Sequence, residues 1–236
     1  MKILAIDTSS KICSVSILEN DKLIIENHND DEKTHSQKLM PIIDETFKQA
    51  NLSLDDIDLL ACCQGPGSFT GIRIGISTVK AFADVKNIPI IGVTSLESLC
   101  FNIAENGLIA SIIDAKHDNV YFGLYNFNNN NLTSVEEPLS CSIEATIEIL
   151  KKHNNTQITL IGDGSSVHSE LLKRELNNIE FATEDKNIQT SISVGLSALS
   201  KYNNPNYSPA FSVSPIYLKK SEAEINLENK KMIKGE

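Results

Sequence analysis

Two halves of the sequence repeat the same order of predicted secondary structure. Three strand-like runs open the first half, KILAID, CSVSILE and KLIIEN, and three open the second half, LIASIID, NVYFGLYNF and LTSVEE. Alternating apolar residues, with Asn-containing turns between the runs, predict a three-stranded meander in each half. A helix-like segment, a short apolar strand and a glycine turn before a second helix follow each meander. The sequence therefore predicts a duplicated βββαβα unit.

The duplicated unit is similar to the plan shared by actin, Hsp70 and the sugar kinases, the ASKHA superfold. This resemblance implies an α/β fold of two lobes with a nucleotide site between them. We predict an N-terminal βββαβα lobe over residues 1–106, a C-terminal βββαβα lobe over residues 107–220 and a polar tail over residues 221–236. The tail carries few apolar residues, so we expect a loosely held helix or disorder there.

Carboxylates end the first predicted strand of each half, where this superfold holds metal and phosphate. Asp7, followed by Thr8 and Ser9, is a candidate for a vestigial phosphate site, although a strand-end Asp also caps turns by accepting hydrogen bonds from backbone amides. Asp114 is followed by Ala115 instead of glycine, which disfavours close approach of a phosphate to the backbone. The GDG turn at residues 162–164 could lie on the adenosine side of a cleft, yet a strand-to-helix turn alone explains it. These residues assign no cofactor to the chain.

The glycine-rich segment GPGSFTGIRIG, at residues 65–75, matches neither common phosphate-binding motif. A Walker loop needs a lysine directly after its last glycine, and the dinucleotide fingerprint G-x-G-x-x-G needs its third glycine one place earlier than Gly71. Thr70 occupies that place and Ile72 follows Gly71. The segment instead predicts a sharp turn after a buried strand, and then a helix that Ser68 or Thr70 caps and that runs to about Lys86.

The helix after this turn carries apolar or small residues on two faces. One face has the spacing of a stripe that packs on the lobe's own core: Ile72, Ile76, Val79 and Ala83. The other face consists of Gly71, Gly75, Thr78 and Phe82. Each glycine inside a helix costs about 0.5–1 kcal/mol relative to alanine. We therefore predict that this second face lets a partner helix approach closely, with packing inside the chain as the alternative. The preceding helix adds apolar neighbours to this predicted partner interface: Met40, Ile43 and Phe47.

The net charge and the N-terminal sequence limit the classes of function. A formal net charge of −10 and a pI of about 5.0 lack the basic excess of a stand-alone RNA- or DNA-binding protein. The opening MKILAIDTSS has only four consecutive apolar residues, too few for a signal peptide or a membrane span. The five cysteines show no C-x-x-C spacing, which is typical of reduced thiols. We expect a cytoplasmic protein that contacts any nucleic acid only through a partner and contacts no membrane.

Seven segments, in the same order, resemble the bacterial TsaB (YeaZ) family: ILAIDTSS, HSQKLMPIID, GPGSFTGIRIG, IPIIGVTSLESL, DAKHDNVYFGLY, GDG and SPIYLK. The resemblance covers residues 1–219 and is densest before Leu99. It implies the two-lobed fold predicted above. It also implies a non-catalytic subunit that forms a heterodimer with TsaD, with TsaE joining, to make threonylcarbamoyladenosine beside the tRNA anticodon. ATP and a metal ion are then used by the complex through TsaD and TsaE, and a homodimer is a further state of the isolated chain.

The segment VTSLESL distinguishes the chain from its catalytic relative. TsaD-like sequences carry V-H-H-M-E-G-H at this place, where two histidines four residues apart bind the metal. Ser95 and Leu99 occupy those two positions here, and no two of the five histidines lie three to five residues apart. A catalytic metal site generally needs three protein ligands, so we expect no metal and no catalytic residue in this chain.

The sequence leaves two other classes of function open. The first is an active ATP- or metal-dependent enzyme of the same superfold, a kinase or a hydrolase, with a site built on Asp7, Asp114 and the turn at Gly162. The second is a stand-alone tRNA-binding protein, which the acidic net charge opposes.

Overall fold

The computed structural model describes residues 1–31, 33–103, 105–204, 210 and 213–219. The predicted polar tail at residues 221–236 lies outside these residues. Within the described part of the chain, no helix combines the length and the apolar character that crossing a membrane requires.

The first half of the chain forms a five-stranded mixed sheet. In chain order, its strands are β1 (Lys2–Asp7), β2 (Cys13–Glu19), β3 (Lys22–Asn29), β4 (Leu59–Cys63) and β5 (Ile90–Val93). Their order across the sheet is β3-β2-β1-β4-β5. The first three strands pair antiparallel, and β4 pairs parallel to both β1 and β5. The central strands β1 and β4 are buried on both faces, which explains their nearly continuous apolar sequence.

The second half of the chain repeats this sheet. Its strands are β6 (Gly107–Asp114), β7 (Asn119–Asn128), β8 (Asn131–Ser142), β9 (Ile158–Ile161) and β10 (Ile179–Phe181). The order is β8-β7-β6-β9-β10, with β6, β7 and β8 antiparallel and β9 parallel to β6 and β10. The same order in both sheets confirms the predicted two-lobed, duplicated ASKHA-like α/β fold.

Seven α-helices accompany the sheets in the described residues. They are α1 (His35–Ala50), α2 (Phe69–Lys86), α3 (Ser95–Cys100), α4 (Ile143–Lys151), α5 (Asp163–Val167), α6 (Ser169–Glu175) and α7 (Ser191–Asn203). Two short 3-10 helices lie at Leu54–Asp56 and Glu184–Asn187. The predicted cap of α2 is Ser68, whose Oγ accepts a hydrogen bond from the Gly71 N–H at 3.2 Å.

Each sheet is covered on one face by helices of its own half and on the other by a helix from elsewhere. Helices α1 and α2 pack on one face of the first sheet, and the predicted stripe of α2 lies in that core. Helix α7, from the second half of the chain, packs Val194 and Ala198 against the opposite face of the same sheet. Conversely, α3, from the first half of the chain, packs Leu96 and Leu99 against the second sheet. The division of the chain after residue 106 stays a prediction.

Candidate functional site

The outer surface of α1 and α2 carries an apolar groove of about 760 Å³. The groove lies between α1 from Met40 onward, the segment that follows α1 and one side chain of α2, Phe82. Its apolar lining residues are Met40, Ile43, Phe47, Leu52, Leu54 and Phe82. Two acidic side chains, Asp44 and Asp56, and Lys48 stand among them. An apolar surface with a few charges at its edge is a common composition for a protein-protein interface.

The residues predicted for a partner interface differ in exposure. Met40 is 50% exposed, and Phe47, Thr78 and Phe82 are partly buried. Ile43 lines the groove but belongs mainly to the core of the first lobe. Met40, Ile43, Phe47 and Phe82 line the same groove, and contact of the five residues with a partner stays a prediction.

Gly71 and Gly75 face the interior, so the prediction that they expose backbone to a partner is wrong. Both glycines are buried, and a Cβ on Gly71 would overlap the carbonyl oxygen of Thr8. A Cβ on Gly75 would overlap Oγ1 of the same threonine. The hydroxyl of Thr8 donates a hydrogen bond to the Gly71 carbonyl at 2.8 Å. The close approach that the glycines allow is therefore made by the loop after β1 and not by another protein.

The face of α2 that points outward is one that the sequence reasoning missed. It consists of Thr70, Ile74, Ser77, Ala81 and Val85, of which Val85 is 76% exposed and Ile74 is partly buried. Apart from Ile74 and Val85 these side chains are small, so the surface is smooth enough for a second helix to approach. The core stripe could have indicated this face, because residues opposite a core stripe on a helix point outward.

Asp7, Thr8 and Ser9 form a buried cluster that closes the turn after β1. The Asp7 carboxylate accepts hydrogen bonds from the Ser9 N–H and the Ser9 hydroxyl, both at 2.7 Å. Burial raises the pKa of Asp7 above its ordinary value, against the opposing effect of these hydrogen bonds. The Ser9 hydroxyl also lies 3.0 Å from Oε1 of Gln189, in the second half of the chain. These contacts fit the turn-capping interpretation of Asp7, and its role as a phosphate ligand stays a prediction.

A cleft of about 650 Å³ separates the two lobes beside this cluster. Ser9, Gly67 and Ser68 line it from the first lobe, and Asp114 and Lys116 line it from the second. The Lys116 Nζ donates to the Asp114 carboxylate at 2.5 Å, and the Lys116 backbone N–H donates to it at 2.9 Å. Burial acts to raise the pKa of Asp114, but the hydrogen bonds and the charge of Lys116 outweigh it and hold that pKa below its ordinary value.

The GDG turn packs directly on β6. Gly162 has a φ of +100° and donates its N–H to Oδ1 of Asn187 at 2.8 Å. A Cβ on Gly164 would lie 3.0 Å from the backbone nitrogen of Asp114. Oδ1 of Asp163 accepts a hydrogen bond from that same nitrogen at 3.0 Å. The contacts of this turn therefore join a strand to a helix, as its simpler interpretation expects.

Ser95 and Leu99, at the places of the two metal-binding histidines, lie in the interior. The Ser95 hydroxyl donates to the Pro66 carbonyl at 2.6 Å, and Leu99 packs in the apolar core around α3. Across the described ranges, no three His, Cys, Asp or Glu side chains are grouped so that they could hold a metal ion.

Known proteins are similar to this chain in sequence and in fold. The TsaD family model, described as tRNA N6-adenosine threonylcarbamoyltransferase, matches residues 27–227. The chain is 33% identical over 182 residues to "tRNA threonylcarbamoyladenosine biosynthesis protein TsaB" of Bacillus subtilis, a match that covers 77% of this chain and 79% of that protein. The protein of the same name from Haemophilus influenzae is 27% identical, with 93% and 94% covered.

A solved structure has the same fold over nearly its whole length. YeaZ from Pseudomonas aeruginosa superimposes with a TM-score of 0.72 at 22% identity, covering 92% of this chain and 99% of that one. The chain therefore belongs to the family that the TsaD model describes and, within it, to the TsaB (YeaZ) branch, whose curated members are named tRNA threonylcarbamoyladenosine biosynthesis proteins.

Proposed function

We propose that this chain is a non-catalytic subunit that binds and activates TsaD, with TsaE, for transfer of threonylcarbamoyl to N6 of the adenosine next to the tRNA anticodon. The observation that carries the proposal is the surface of α1 and α2. It combines an apolar groove around Met40, Phe47 and Phe82 with the smooth outward face of α2. The names of the relatives support the pathway.

The interior of the lobes supports a role without catalysis. The positions that would carry the metal-binding histidine pair hold Ser95 and Leu99, and both side chains are buried in packing contacts. Asp7 and Asp114 are engaged by Ser9 and Lys116 of the same chain. The complex would then take ATP and a metal ion through TsaD and TsaE. We place this activity in the cytoplasm, where tRNA is modified, and tRNA would be reached only through the complex.

Reconstitution with purified components tests the proposal. Mixtures of TsaD, TsaE, tRNA, threonine, bicarbonate, ATP and the enzyme that makes the threonylcarbamoyl adenylate are assayed for modified nucleoside with and without this chain. We expect product only when the chain is present, and co-elution of the chain with TsaD. Product at the normal rate without the chain would overturn the proposal.

A second assay tests the claim that the chain lacks catalysis. The purified chain, supplied with divalent metal, should hydrolyse ATP and modify tRNA only at the background rate. The control is Asp7→Asn, which should give the same background. Turnover that this substitution abolishes would show an active enzyme of the superfold instead.

A further inference from the structure

An aromatic and cationic cluster marks the place where the C-terminal segment crosses the start of α2. Residues 213–219 are held to the turn before α2 by two hydrogen bonds. The Ile216 N–H donates to the Gln64 carbonyl at 2.9 Å, and the Gln64 side-chain amide donates to the Ser214 carbonyl at 2.7 Å. This path brings Tyr217 onto Phe69, with ring centroids 4.6 Å apart. Phe69, Tyr217 and Arg73 are called the Arg73 cluster below.

The guanidinium of Arg73 is fixed by both rings. Its central carbon lies 3.9 Å from the Phe69 centroid and 5.6 Å from the Tyr217 centroid. Its Nε donates a hydrogen bond to the Tyr217 hydroxyl at 2.7 Å. In the part of the chain that the structure describes, the two terminal nitrogens have no acceptor and Arg73 has no ion pair. The other arginine, Arg174, does pair with a carboxylate, that of Glu175, at 3.1 Å.

The fixed position of Arg73 favours recognition of a carboxylate. A guanidinium presents its terminal N–H groups as a planar fork that fits two carboxylate oxygens. Because the rings and the tyrosine hydroxyl already hold the side chain, little side-chain entropy is left to lose on binding. Phe69 is 39% and Tyr217 is 44% exposed, and Arg and Tyr are enriched among the residues that dominate binding energy.

The cluster adjoins the outward face of α2. Arg73 lies three residues after Thr70 and four before Ser77, which makes both of them its neighbours on the helix surface. A protein that docks on Thr70, Ser77 and Ala81 would therefore cover Arg73 at its edge. We propose that the Arg73 cluster is an anchor for a carboxylate side chain of the protein partner that docks on α2. This inference rests on the proposed function, and TsaD is the partner to be tested.

The ligand class follows from charge. An RNA phosphate is the other anion that an arginine fork binds, but a chain with a net charge of −10 repels RNA over most of its surface. A carboxylate on a protein that already contacts α2 is brought to the cluster by the apolar contacts, so the repulsion from the rest of the surface does not prevent its binding. We therefore assign the site to a protein carboxylate, and the experiment includes tRNA as a separate arm.

Nitrogen NMR on the unmodified chain tests the assignment directly. The sequence has two arginines, Arg73 and Arg174, so labelling arginine with 15N gives few side-chain signals and an internal control. Addition of TsaD should shift the Arg73 Nη and Nε signals and slow their exchange with water, and leave the Arg174 signals unchanged. A complex in which the Arg73 signals do not move, or a shift on addition of tRNA alone, would overturn the inference.

Affinity measurements on variants give a second test. Arg73→Gln should weaken binding of TsaD about 10- to 100-fold, and Arg73→Lys should lose most of the same affinity because lysine cannot form the fork. The matched control is Lys80→Gln, which removes the same charge two turns further along the same flank of α2 and should change affinity less than about twofold. If Arg73→Gln bound TsaD with the affinity of the unmodified chain, this inference would be overturned and the proposed function would not. Failure of the unmodified chain to bind TsaD would overturn the proposed function as well.

Discussion

The two lobes share one sheet topology but differ in the helices at equivalent places. In the first lobe α1 has 16 residues and α2 has 18. In the second lobe α4, the counterpart of α1, has nine residues, and the place of α2 is taken by α5 and α6, with five and seven residues. His168 separates α5 from α6, so the two do not form one continuous helix. In the described residues, duplication has thus kept two sheets, but two long helices lie side by side in the first lobe alone. This difference is the reason to expect the proposed partner on the first lobe.

The largest effect is expected at the glycines that join α2 to its own lobe. Gly75→Leu places a side chain against Thr8, and overpacking of this kind costs about 3 kcal/mol, or roughly 6–12 °C in Tm for a chain of this size. Thermal unfolding of the isolated chain measures it. Ser77→Ala, on the outward face of the same helix, should change stability by less than about 0.5 kcal/mol. An unchanged Tm in Gly75→Leu would contradict the inward orientation.

The second prediction compares the outer surfaces of the two lobes. Ala81 on α2 and Ala145 on α4 are both exposed. Ala81→Trp should weaken binding of TsaD by about 1–3 kcal/mol, or roughly 5- to 150-fold, because the bulky ring holds the partner helix away. Ala145→Trp should bind TsaD as the unmodified chain does. Since the chain has no tryptophan, the introduced ring also reports contact by fluorescence. Equal affinities of the two variants for TsaD would contradict the prediction that the partner docks on the first lobe and not on the second.

The third prediction uses the buried carboxylate at the end of β1. Burial raises the pKa of Asp7 in the folded chain above the ordinary value of 3.8. The folded state therefore favours the protonated carboxyl, and its contribution to stability is fully present below pH 3.8. This contribution is lost as the pH rises through the raised pKa of the folded state. Asp7→Asn removes the titration, so its free energy of unfolding should rise relative to the unmodified chain over that interval. Each unit of pKa shift is worth about 1.4 kcal/mol. Urea unfolding of both proteins from pH 4 to 8 measures the difference, and a difference independent of pH would contradict the prediction.

The smallest effect is expected at the equivalent carboxylate of the second lobe. The Lys116 side chain is 79% exposed in its pair with Asp114, and exposed ion pairs contribute about 0–1 kcal/mol. Lys116→Ala should therefore lower the free energy of unfolding by less than about 1 kcal/mol, measured by urea unfolding in low salt. A loss of several kcal/mol would show that the turn after β6 is as tightly built as the turn after β1.

The sequence was sufficient to predict the repeated βββαβα unit, because strand and helix periods are local properties. It did not predict the elements that follow the unit in each half, which are β5, α3, β10 and α7. It was not sufficient to predict which sheet each helix covers. Val194 and Ala198 show that α7 has an apolar face, but nothing in their spacing relates that face to strands more than a hundred residues earlier. The prediction that Gly71 and Gly75 face outward was wrong for a related reason. A small residue indicates that something approaches closely, and only the fold identifies Thr8 as the group that does.

The position of α7 affects how the protein is made. On the ribosome, the strands of the first sheet are complete once Val93 has emerged, yet the face containing Ile3, Leu59 and Ile91 stays uncovered until Val194 and Ala198 follow. At about 5–20 residues per second, translation of the intervening hundred or so residues takes on the order of 5–20 s. A nascent chain with an open apolar sheet for that long is prone to aggregate. The first lobe therefore cannot bury this face of its sheet until α7 has been translated and has left the ribosome.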